Sequence, residues 1–289
     1  VLSSGPVLTA FLIGAIAAIT SGVIGVFAVL RTQSFAGHSL ADIATTGGAG
    51  AFLVGVNQFW GFLVAGLAAA TAMEAIGVQR RRGRDIATGV VLGGALGIAA
   101  LFLYLGTQHT SRTGASFSIL FGSIFVVAPD TVPALVAAGL VTLATVAVLA
   151  RRLLLTAIAP DLARARGVSV GLTGIIFLAA LAVVVSLSAV AIGAVLSTAL
   201  LVGPAATALR VTRSPGKAVL VSAVTGLAAT WTGIALAYES YYWPPAGHGW
   251  PVSFFVVALV LAAYLLSYAR KPRRPLPPRS PHEGEACPI

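Results

Sequence analysis

Charge is what this chain lacks. Only 9% of its 289 residues are charged, against roughly 25% in a soluble domain. So few charges cannot cover a water-facing surface, which excludes an ordinary soluble fold. Carboxylates are scarcest, with 8 Asp and Glu against 18 Lys and Arg, so few residues are left for acid–base or metal chemistry. The one cysteine, Cys287, lies near the C-terminus, which rules out a disulfide framework or a thiolate metal site within one chain. No G-x-x-x-x-G-K-[ST] segment occurs, because Gly216-Lys217 runs into Ala218. The chain therefore has no P-loop of its own. It has no H-E-x-x-H pair either, and no G-x-S-x-G nucleophile site is expected, which leaves a membrane-embedded enzyme with little support.

What is present is apolar: 58% hydrophobic residues and a mean hydropathy of +0.97. The apolar blocks lie at about 7–30, 38–56, 59–77, 86–106, 117–149, 170–188, 189–209, 218–238 and 251–269. Roughly 20 such residues span a bilayer core as a helix. In lipid every backbone polar group must be bonded within the segment, so helix is the default. These blocks predict an all-α, polytopic integral membrane protein with eight or nine transmembrane helices. Residues 7–30 exceed a cleaved signal's apolar core and read as a span.

The basic residues sit between the blocks: Arg31, Arg80 to Arg84, Arg151 with Arg152, Arg164 with Arg166, Arg210 to Lys217, and Arg270 to Arg274. Placing them all in the cytoplasm gives one consistent alternation. The net charge of +10 is then a topology signal, and nucleic acid is not a partner. Residues 56–58, 107–116, around 188 and 239–250 face outside. The 117–149 block holds Gly122, Pro129 and Pro133 and reads as a short re-entrant or interfacial piece followed by a helix. The 170–209 stretch reads as two spans turning near Ser186 and Ser188. The 32 glycines, Gly93, Gly94 and Gly97 among them, suit close helix packing. Residues 1–269 form one membrane domain. Residues 270–289, Pro-rich and charged, read as a disordered cytoplasmic tail.

An ionisable residue within a span is costly and therefore a functional candidate. His38 and Asp42 share one helical face by their i, i+4 spacing. Imidazole and carboxylate suit zinc or manganese, but the same pair serves as a proton relay or an internal hydrogen-bonded pair. His109, Glu239 and His248 fall in outside segments, as weak candidates for greeting a cation or as exposed loop residues. Asp85 and Asp130 read as helix starts, and Glu74 as a partner for Arg80 or Arg81. Pro160, Asp161, Leu162, Ala163, Arg164, Ala165, Arg166 and Gly167 form a short polar helix pattern with Asp early and Arg late, as the helix dipole prefers. Such a helix docks a partner or merely connects two spans.

Four stretches carry a resemblance. They are Gly25-Val-Phe-Ala-Val-Leu-Arg31 with Phe35-Ala-Gly-His-Ser-Leu-Ala-Asp42, Arg82 to Ala95, Leu120-Phe-Gly-Ser-Ile124, and Asp161 to Val168 with Ile192 to Ala208. In order and spacing the chain resembles, over about residues 7–270, the ABC-3 family of permease subunits of ABC importers for zinc, manganese and iron(II). Many members carry Asp-x-x-x-His where this chain has His38 and Asp42, so the pair is kept in reversed order. The resemblance implies a multi-pass permease of the cell membrane, surrounded by lipid and working as a homodimer. Its partners would be cytoplasmic ABC ATPase subunits, which hold the ATP, and an extracytoplasmic metal-binding protein. The divalent ion would be cargo rather than a permanent cofactor. It would pass His38 and Asp42 along the dimer interface, and residues 160–167 would couple transport to the ATPase. The rival readings are a permease for a metal chelate and an ion-coupled secondary transporter.

Overall fold

A computed structural model describes residues 5–75, 84–109, 114–122, 124–243 and 249–269. Among them the regular structure is entirely helical: α1 (Gly5–Leu30), α2 (Ser34–Val54), α3 (Gln58–Ala75), α4 (Arg84–His109), α5 (Gly114–Phe121), α6 (Val132–Ile158), α7 (Pro160–Ala165), α8 (Val170–Ile192), α9 (Ala194–Val211), α10 (Pro215–Ser240) and α11 (Val252–Ala269). Two 3₁₀ turns, Ile124–Val126 and Pro129–Thr131, separate α5 from α6.

Among the described residues six helices are long and apolar enough to cross a bilayer: α1, α6 with its preceding turn, α8, α9, α10 and α11. Helices α3 and α4 carry shorter apolar stretches, Gln58–Met73 and Leu92–Gln108. Hydropathy alone thus stops short of the expected eight or nine. Helix α2 is diluted by His38, Asp42 and small polar residues, and α4 opens on Arg84 and Asp85.

Helices α8 and α1 form the centre. In their most apolar 18-residue stretches, 72% and 67% of residues are buried, against 22% for α6 and 28% for α11. Leu178, Leu181, Val184 and Val185 of α8 pack with Ile24 and Phe27 of α1 and Leu40 of α2. Glycine permits the closest crossings. A Cβ on Gly47 of α2 would collide with Gly61 O of α3, and one on Gly25 of α1 with Leu201 O of α9. By contrast Gly93, Gly94 and Gly97 meet nothing within 4 Å. The expected role of these three in packing is not borne out among the described residues, because they lie on the outward face of α4.

The chain does not turn at Ser186 or Ser188. Ser186 Oγ donates to Ala182 O at 2.9 Å, and Ser188 Oγ shares a buried hydrogen bond of 2.7 Å with Ser21 Oγ of α1. Both hydroxyls are satisfied, so α8 runs on to Ile192. Gly193, with φ of 91°, makes the break, in a conformation glycine adopts without a Cβ penalty. The 117–149 block is interrupted as expected, at Gly122 (φ 83°) and at Pro129.

Arg31 of the α1–α2 turn bonds Thr156 at the end of α6, and Arg210 at the end of α9 lies 3.3 Å from the ring centroid of Tyr268 at the end of α11. The basic ends of these helices therefore share sides. Trp60, Tyr241, Tyr242, Trp243 and Trp250 are exposed at the opposite helix ends, where amphipathic rings suit a membrane interface.

Candidate functional site

Helix α2 begins at Ser34, after a three-residue turn. A Cβ on Gly37 would press on the side-chain tip of Leu201 of α9 and touch Leu181 of α8. Leu181 is the twelfth of the 23 residues of α8, so Gly37 lies near the midpoint of a membrane-length helix. His38 and Asp42 follow on the next turns.

His38 Nε2 lies 3.4 Å from Asp42 Oδ2. The carboxylate is tucked in, with 12% of its side chain exposed, while the imidazole is 44% exposed on an open face. His38 Nδ1 lies 3.1 Å from Thr198 Oγ1 of α9. Thr198 was not anticipated as a site residue, although it falls within the Ile192–Ala208 stretch. When Nδ1–H donates to that hydroxyl, Nε2 keeps its lone pair beside the carboxylate. Two ligand atoms then converge on the open side, and α9 fixes the ring's orientation. In the other tautomer Nε2–H donates to Asp42, giving a resting internal pair. Among the described residues no group of three or more His, Cys, Asp or Glu forms. The site offers two protein ligands, leaving other positions for water, which suits an ion that must be released.

The remaining candidates do not join this pair. Glu239 is exposed near the end of α10. His109 ends α4, and its side chain lies outside the described residues, as do His248, the side chains of Glu74 and Asp85, and residues 270–289. Asp130 sits in the turn that opens α6. A cavity of about 490 Å³ near the ends of α5 and α10 is lined by Phe117, Phe121, Tyr238, Tyr241, Tyr242 and Trp250 among others. Among the described residues no imidazole or carboxylate lines it.

Within residues 160–167 the helix is α7, Pro160–Ala165. Pro160 occupies the first turn, Arg164 Nη1 donates to Asp161 Oδ1 at 2.9 Å, and Gly167 (φ 73°) closes the end while Val168 N donates to Ala163 O at 2.9 Å. A left-handed glycine after the last turn is a common helix ending, because it has no Cβ to clash. Ala163 is buried, while Asp161, Leu162, Arg164, Ala165 and Arg166 face out. The Asp161–Arg164 pair is too exposed to stabilise much. Its neighbour Gly167-Val-Ser-Val-Gly171 has the G-x-S-x-G spacing of a hydrolase elbow. That motif needs a strand-to-helix turn. Here Ser169 precedes α8 in an all-helical surrounding, and its carbonyl accepts from Thr173 Oγ1.

Residues 5–269 match the model of the ABC 3 transport family. The manganese import system permease protein ScaB of Streptococcus pneumoniae is 30% identical over 236 residues, 80% of each chain. The high-affinity zinc uptake system membrane protein ZnuB of Haemophilus influenzae is 26% identical over 206 residues, 71% of this chain and 78% of that one. A chain of PsaBC from Streptococcus pneumoniae in complex with Fab superposes with a TM-score of 0.73 at 23% identity, covering 92% of both chains; at that identity the likeness establishes the fold. The chain belongs to the ABC 3 transport family, as a multi-pass permease subunit of the cell membrane.

Proposed function

We propose that this permease carries a divalent transition-metal ion (zinc, manganese or iron) inward past His38 and Asp42, driven by ATP hydrolysed on a partner subunit. The carrying observation is the oriented pair itself: imidazole and carboxylate 3.4 Å apart, opening on a half-exposed face level with the middle of α8. A lipid-facing position would not retain both. Manganese and zinc are the cargoes named for the relatives.

We extend this reading to the assembly. Helices α2, α3 and α4 cross the bilayer along with the six apolar ones, giving nine spans. The ion passes between two copies of the chain, and the open face of His38 lines that interface. Helix α7 docks an ATPase subunit through Leu162, Arg164 and Arg166, and an extracytoplasmic metal-binding protein delivers the ion.

Proteoliposomes holding the permease with its ATPase subunit test this reading. Isotopic manganese or zinc should accumulate only with ATP, and Leu162→Pro should cut the ions moved per ATP. Accumulation driven by a proton or sodium gradient without ATP would overturn it.

A further inference from the structure

Among the described residues only one non-glycine residue has a positive φ: Thr32, at 54°. A β-branched residue is a genuine outlier there. Such strain persists only where the surroundings over-determine it, and it gathers at switch regions.

The surroundings here converge on Arg31. Its Nη1 donates to Thr156 Oγ1 at 2.6 Å, and its Nε donates to Gln33 Oε1 at 3.3 Å, bridging across Thr32. The guanidinium carbon lies 5.2 Å from the Phe177 ring centroid of α8. The Thr32 hydroxyl donates to Arg31 O at 2.7 Å, and Gln33 N donates to Ala28 O at 2.8 Å. Thr156 is itself buried, and its hydroxyl donates back to Arg152 O at 2.9 Å, which leaves its lone pairs for Arg31.

The two ends of this strap lie beside the two working parts of the permease. Thr156 is in the last turn of α6, four residues before Pro160 opens α7. On the other side Gln33 leads directly into α2, and His38 lies seven residues beyond Arg31. A helix is stiff along its axis, so a shift of its first turn moves the residues on the next turns with it.

We infer that Arg31 is the positioning residue that transmits movement of α7, through the last turn of α6, to the strained α1–α2 turn and so to the His38–Asp42 pair. This rests on the proposed roles of α7 and of the pair. Arginine suits the task because its rigid fork serves Thr156 and Gln33 at once. Lysine keeps the charge but gathers its donors on one nitrogen, without the planar fork.

The test uses the permease assembled with its ATPase subunit in proteoliposomes, reading isotopic manganese moved per ATP hydrolysed. Thr156→Val removes the acceptor on α6 alone, and Arg31→Lys removes the fork. Each should lower ions moved per ATP by roughly tenfold, on the scale of single-residue effects on coupling between sites. The amount of assembled complex and the ATPase rate should stay at the parental level. A parental ratio in both variants overturns the inference. So does a fall of uptake and ATPase rate together, in proportion to lost complex, which marks a merely structural contact. Leu162→Pro separates the two layers. If it uncouples while Arg31→Lys and Thr156→Val do not, only the strap is wrong. If Leu162→Pro itself couples normally, α7 has no docking role and the strap falls with it.

Discussion

Thr198→Val is the most informative single change at the pair, because Thr198 touches the imidazole without being a ligand. The swap nearly conserves shape and deletes one hydroxyl, 3.1 Å from His38 Nδ1. Loss of such an outer partner typically costs ten- to a hundredfold in metal affinity, or about 1.4 to 2.7 kcal/mol. The imidazole is 44% exposed, so water can take over part of the bond, and the lower end, about tenfold, is expected. The assay is initial-rate uptake of isotopic manganese or zinc into proteoliposomes across a concentration series. The half-saturating concentration should rise about tenfold, the maximal rate should change far less, and Thr198→Ser should restore the parental curve. A parental curve for Thr198→Val would refute the orienting role. A Thr198→Ser curve as poor as that of Thr198→Val would refute it equally, since the hydroxyl would then be irrelevant.

Other expectations concern topology and packing. A cysteine replacing Gly216, which has open space around it, should react with a membrane-impermeant thiol reagent only from the cytoplasm, and one replacing Gly249 only from outside; the reverse pattern inverts the orientation. Gly47→Val should sharply reduce the yield of folded permease in detergent, because its side chain meets the backbone of Gly61, and overpacking of this kind costs at least about 1–3 kcal/mol. Gly97→Ala meets nothing within 4 Å among the described residues and gains up to about 1 kcal/mol of helix propensity, so its melting temperature should not fall. A large loss there would mean that the outward face of α4 is covered in the assembled protein.

Much of this fold is legible in the sequence because the bilayer imposes a length. Blocks such as 7–30 and 251–269 become α1 and α11 nearly residue for residue. The break near Gly122 and Pro129 and the short helix at 160–167 follow from residues whose backbone chemistry is local. Other features escape for an equally physical reason: they depend on what lies opposite. Ser186 and Ser188 look like a turn until Ser21 and the α8 carbonyls take up their hydroxyls. Gly93, Gly94 and Gly97 look like a packing face, and only the tertiary arrangement shows that no helix among the described residues covers it. Helical spacing alone pairs His38 with Asp42. Thr198, 160 residues away, has no local signal that joins it to them, and the same is true of Arg31 and Thr156.

Isotope uptake by His38→Ala and Asp42→Ala permeases bears most directly on the pair. Each variant is inserted in proteoliposomes with the ATPase subunit and supplied with ATP and isotopic manganese or zinc. Both should assemble in parental amounts and carry essentially no metal, while the exchange His38→Asp with Asp42→His should recover part of the transport. Metal uptake at the parental rate by either alanine variant would contradict the assignment and make the pair a structural contact of α2.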